Sequence, residues 1–103
     1  QRLEINLQFH CYWDFLPQEV SDAQLKTKRM PGHAQEFETA FALAAFPENV
    51  RLDAMQDQDD KEPLEATAEA AHVRIDAILD GVTQHLSDMI DGTNVAEIPP
   101  FQP

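Results

Sequence analysis

His33 is followed at short spacing by Glu36 and Glu38, and the stretch Gly32–Pro47 then turns almost wholly apolar. A helix starting at Glu36 would place His33 at its N-terminal end. There the backbone N–H groups and the helix dipole favour negative charge and disfavour an imidazolium. A neutral imidazole near pH 7 is suited to moving protons. Plainer readings stand beside this one. Glu36 and Glu38 in a first helical turn complement the dipole, and His33 could cap the loop.

The elements around these residues can be read from pattern. Glu36–Phe46 predicts a helix stopped by Pro47, since the residue before a proline avoids helical geometry. Phe37, Ala40, Phe41, Ala42, Leu43, Ala44, Ala45 and Phe46 surround its axis, so it should be buried on most sides. Leu3 to Trp13 alternates strictly, apolar at Leu3, Ile5, Leu7, Phe9, Cys11 and Trp13 and largely polar between. That period predicts a strand with its apolar face packed and its polar face, His10 included, wet. Pro17–Pro31 reads as a solvated loop carrying the basic cluster Lys26, Lys28 and Arg29.

Farther along, residues 48–55 read as a turn or short strand, and residues 57–62 as an acidic loop. That loop lacks the central glycine and terminal glutamate of a calcium-binding EF-hand. Pro63–Ile90 predicts a long amphipathic helix, apolar at Leu64, Ala68, Ala71, Ile75, Ile78, Val82, Leu86 and Met89. Gly81 within it marks a bend or a close packing contact, His72 and His85 fall on its solvated or flanking side, and Asp91-Gly92 stops it. Residues 92–103 form a Pro-rich tail.

The 103 residues suit one small domain. Nineteen Asp and Glu against seven Lys and Arg leave a net charge of −12, which disfavours nucleic acid and anionic membrane as partners. A lone cysteine, Cys11, excludes an intrachain disulfide and fits a reducing, cytoplasmic setting. No apolar run approaches a membrane span, and the first residues, QRLEINLQF, read as the middle of a domain rather than a signal peptide.

The segment GHAQEFETAFALAAFPENVR resembles the C-terminal part of the creatininase family of metal-dependent amidohydrolases. That family carries a Gly-His-Ala-Gly-x-x-Glu-Thr-Ser motif, then an apolar helix and a Pro-x-x-Val segment. Here Gly32, His33, Ala34, Glu38 and Thr39 match, followed by Phe41–Ala44, Pro47 and Val50. Cys11–Phe15 is similar to the family's aromatic strand end. Gln35 stands where the family usually has glycine, and Ala40 where it usually has serine. The family's Glu-x-His and Asn-Gly-His metal-binding segments have no counterpart in this chain.

The resemblance implies a partial three-layer α/β/α fold: a short sheet, one buried helix and one long amphipathic helix, within a single incomplete domain over residues 1–103. It implies hydrolysis of a C–N bond in a small amide, cyclic or open. His33 would transfer the proton that the leaving nitrogen needs. Glu38 would line or ligate the metal centre, and Trp13 would wall the substrate pocket. A divalent metal, zinc or manganese, is implied for the complete enzyme and none for this chain alone. The implied partner is a missing N-terminal polypeptide or further copies of the chain. The alternative is a noncatalytic interaction domain derived from that fold.

Overall fold

The computed structural model describes residues 5–97, and these form helices joined by short turns. Four α-helices occur: α1 (Gln18–Gln24), α2 (Glu36–Ala45), α3 (Leu52–Asp57) and α4 (Ala68–Asp91). Short 3-10 turns lie at Tyr12–Phe15, Pro47–Asn49 and Glu62–Glu65. There is no strand among the described residues, so the expected α/β sheet architecture is corrected to an all-helical one.

The physical reason lies in the alternating N-terminal segment. Leu3 and Glu4 fall outside the described residues. From Ile5 to His10 the chain has no regular secondary structure, and its polar side chains Asn6 and Gln8 dock while Ile5, Leu7 and Phe9 face outward. Asn6 Nδ2 donates to the carbonyl of Asn94 at 2.7 Å, and Asn6 Oδ1 accepts the N–H of Ala96 at 2.9 Å. Gln8 Nε2 reaches Asn94 Oδ1 at 3.1 Å. Ile5, Leu7 and Phe9 are exposed. The expected strand is absent among the described residues: Ile5 is a bend, residues 6–11 have no regular secondary structure, and Tyr12 and Trp13 belong to a 3-10 turn. A sheet needs neighbouring strands, and the described residues offer none.

α4 is the element on which the others assemble. Thr67 caps it, its hydroxyl accepting the N–H of Ala70 at 3.2 Å. Gly92 ends it in the left-handed region, at φ 78°. Pro63 belongs to the preceding turn rather than to the helix. One side of α4, through Ala71, Arg74 and Ile78, is buried against α2 and α1. Leu86, expected on that side, is exposed. At Gly81 the Tyr12–Phe15 turn comes so close that a β-carbon would sit 2.8 Å from the Phe15 carbonyl oxygen. The glycine is therefore a packing contact.

α2 begins where its sequence predicts and ends one residue short of Phe46, at Ala45, but it is not buried on most sides. Glu36, Phe37 and Ala40 are buried, whereas Ala45 and Phe46 are exposed. The centre of the molecule is small: Leu16, Leu25, Phe37 and Ile78, with Trp13, Phe15, Val20, Met30, Phe41, Ala77 and Val82 against them. The Pro17–Pro31 segment, expected as loop, holds α1. Its few inward residues suffice for a short helix: half-buried Val20, buried Ser21, and Leu25 at its end. Residues 48–55, expected as a turn or strand, enter α3.

The basic cluster is fastened rather than free. Lys26 pairs with Glu65 at 3.3 Å and Arg29 with Glu62 at 2.9 Å, tying the segment after α1 to the Glu62–Glu65 turn. In the tail, Asn94 and Ala96 hold the N-terminal segment, and residues 98–103 lie outside the described part. No helix among the described residues is long and apolar enough to cross a membrane.

Candidate functional site

The loop that carries His33 is shaped by two left-handed residues, Gly32 at φ 68° and Ala34 at φ 52°. Glycine adopts this region freely, while an alanine there costs about 1–2 kcal/mol. The residues that follow hold Ala34 in place. Its N–H donates to Glu38 Oε2 at 2.5 Å, and its carbonyl accepts from the Thr39 hydroxyl at 3.3 Å. Gln35 leads into α2, and its side chain folds back over Gly32, where an added β-carbon would meet Gln35 Oε1 at 2.5 Å. Gln35 Nε2 then reaches Asp60 Oδ2 at 3.1 Å. Each of these contacts fixes the loop backbone, and none uses the His33 ring, which is exposed.

Glu36 turns the other way. It is 1% exposed, and its carboxylate accepts the backbone N–H groups of Lys26 at 3.0 Å and Thr27 at 2.7 Å. Burial pushes its carboxyl up, but the two N–H donors and the nearby Arg74 charge outweigh that and hold it below the usual range. Arg74 is fully buried, with its guanidinium 5.2 Å from the centre of the Phe37 ring. Its Nε donates to the carbonyl of Ala70, while Nη1 and Nη2 have no hydrogen-bond partner among the described residues. Burial lowers its basicity, and Glu36 offsets part of that. Glu36 thus does more than complement a dipole: it anchors the segment before the motif to the centre of the molecule.

The aromatic residues divide similarly. Trp13 is half-buried and packs against the central cluster. Tyr12, which sequence reasoning did not single out, lies beside α2. Its ring stacks on Phe37 at 6.0 Å and meets Phe41 at 5.2 Å. Burial, then the Glu38 carboxylate, then Cys11 push its phenol up. The residue that shares Glu38's surroundings is thus the neighbour of the tryptophan. Only the spacing of Tyr12 beside Trp13, at the end of an alternating run, hinted at it.

A groove of about 340 Å³ opens beside the loop, bordered by Ala34 and Thr39 of the motif and by Ala42, Val50, Ala54 and Met55. Its volume is in the range of small-molecule sites. In comparisons with protein-family models, curated proteins and solved structures, the chain matches none. A catalytic divalent ion takes about three protein ligands, and among the described residues no three His, Cys, Asp or Glu side chains converge to hold one. Glu38 has one oxygen committed to Ala34.

The other histidines lie away from the His33 loop in sequence. His10 lies edge-on to His85, with ring centres 4.8 Å apart, and both contact Phe15. His85 also pairs with the Asn94 amide at 2.9 Å. His72 is exposed on α4.

Proposed function

We propose that this chain contributes the proton-transfer part of an amidohydrolase site, as its resemblance to the creatininase family implies. His33 hands a proton to the leaving nitrogen of a small amide, cyclic or open. Glu38 and Thr39 hold the loop that presents it, and the groove beside Ala34 receives the substrate. One observation supports this above the others. Both hydrogen-bonding groups of Ala34 are taken by Glu38 and Thr39, so the loop backbone is held in place while the ring next to it remains exposed. The zinc or manganese of such an enzyme would be carried by another polypeptide, and the chain by itself would be inactive.

A second reading has an observation in its favour. Glu38 and Thr39 both serve to shape the loop, and the C-terminal end of α2 is uncovered at Phe46. A noncatalytic interaction domain needs no more than that. Amide hydrolysis separates the two. The chain, tagged and recovered with its bound partners from its native cells, should hydrolyse small amides when supplied with zinc or manganese, and the isolated chain should not. Assemblies without amidase activity would favour the interaction domain. Turnover by the isolated chain with tightly bound stoichiometric zinc would overturn the dependence on a second polypeptide.

A further inference from the structure

The apolar surface of α4 extends past the residues it buries. Ile75, Leu79, Val82, Leu86 and Met89 step by four and three residues in turn, the spacing by which one helix packs along another. Ile75, Val82 and Met89, on the side nearer the core, are half-buried. Leu79 and Leu86 are 57% and 53% exposed, and Ile90 beside them is 86% exposed. This outer column runs about 16 Å along the helix at 1.5 Å per residue. Single exposed apolar side chains are ordinary, but three large ones in a column form a contact surface. At 3.6 residues per turn, Asp76, Asp80 and Asp91 fall along the edge of the column that faces away from the core. All three are exposed, and among the described residues none is in an ion pair.

We propose that this face of α4 docks a basic amphipathic helix of another protein. Its apolar side chains cover Leu79, Leu86 and Ile90, and its Lys or Arg side chains meet Asp76, Asp80 and Asp91. The alternating four-and-three spacing selects a helix as the occupant, since that seam matches the ridge of a second helix laid along it. Charge selects a basic one. From Ile75 to Glu97 the chain carries Asp76, Asp80, Asp88, Asp91 and Glu97 and no Lys or Arg, so this end of the molecule attracts cations and repels acidic surfaces. A second copy of the chain does not supply the cations. Among the described residues, Lys26 and Arg29 are held in ion pairs, Lys28 and Lys61 donate to backbone carbonyls, and Arg74 is buried, which leaves Arg51. One cation does not match three carboxylates, and a second α4 would bring only more of them. The proposal does not rest on the amidohydrolase reading.

The probe is a synthetic helical peptide with leucines spaced four and three residues apart and lysines at the remaining positions. In the control peptide glutamates replace the lysines. Binding to the full chain is read by fluorescence anisotropy at low and high salt, with the helix content of each variant checked by circular dichroism. The lysine peptide should bind, more weakly at high salt, and the glutamate peptide should not. Leu79→Gln with Leu86→Gln, and separately Asp76→Asn with Asp80→Asn and Asp91→Asn, should each weaken binding about tenfold or more. Two matched controls should leave it within about twofold: Val73→Gln, an exposed apolar residue off the column, and Asp53→Asn with Asp57→Asn and Asp59→Asn, exposed carboxylates in and after α3. The proposal is overturned if the lysine peptide does not bind, if the glutamate peptide binds equally, or if the controls weaken binding as much as the α4 variants do. It is also overturned if the chain alone forms a dimer in sedimentation equilibrium that Leu79→Gln with Leu86→Gln dissociates, because a second copy would then hold the face.

Discussion

The carboxylate of Glu36 receives the backbone N–H of Thr27 at 2.7 Å, at a site closed to water. With the matching bond from Lys26, this joins the first turn of α2 to the chain leaving α1. Charge-assisted hydrogen bonds at a buried carboxylate are worth more than neutral ones, and removing the acceptor strands two amides and the Arg74 charge. Glu36→Ala should therefore destabilise the fold by about 3–5 kcal/mol, and Glu36→Gln by about 2 kcal/mol, in urea unfolding.

The same carboxylate sets a pH dependence. Its folded-state value lies below the ordinary 4.5, so its contribution is complete above that value and is lost as pH falls through the folded one. Stability measured from neutral pH downward should fall below about pH 4.5, and the fall should be shallower in Glu36→Gln. An equal acid slope in both proteins would mean that other carboxylates carry it. Asp60 is one such group, held low by the N–H of Glu62 and by Gln35.

Ala34 pays a conformational cost that its neighbours offset. Ala34→Gly should be neutral or stabilise by up to about 1 kcal/mol, because glycine adopts the left-handed region without strain. Glu38→Ala should cost about 1 kcal/mol, and less when combined with Ala34→Gly. Thermal unfolding of the two single variants and the double variant measures that coupling. Simple additivity would show that Glu38 does not act through Ala34.

Gly81→Ala is a case where local propensity and packing oppose one another. Alanine is favoured over glycine inside a helix by about 1 kcal/mol. Here its β-carbon would meet the Phe15 carbonyl oxygen at 2.8 Å, a backbone atom that cannot rotate away. The substitution should destabilise by about 1–3 kcal/mol, whereas Thr83→Ala on the exposed side should be neutral or slightly stabilising. Gain of stability in Gly81→Ala would mean that the Tyr12–Phe15 turn is not seated against α4.

These residues also show what could be read from the sequence. α2 and the end of α4 were legible because their boundaries are local events: Pro47 stops one, and Gly92 the other. The fate of the alternating segment was not, because alternation from Leu3 to Trp13 reports which residues are apolar and says nothing of a partner strand. Which face docks was decided by Asn94 and Ala96, far away in sequence. α1 was hidden by its polar composition. Glu36 read as a charge complementing the helix dipole, and only packing reveals it and Arg74 as buried. At the site, the position of His33 beside the mouth of α2 was legible. That Glu38 and Thr39 clamp Ala34 was not, since positive φ at an alanine leaves no signal in sequence.

His33 bears the central claim, and its exposure makes it a clean target, since its ring supports no contact within the fold that Glu38, Thr39 and Gln35 build. The decisive measurement is kcat for small-amide hydrolysis by the assembly recovered with this chain, compared between wild type and His33→Ala at matched recovery of partners. The account predicts a loss of about 10²–10⁴-fold in kcat with assembly unchanged. Equal turnover by the two, in an assembly that hydrolyses amides, would contradict it.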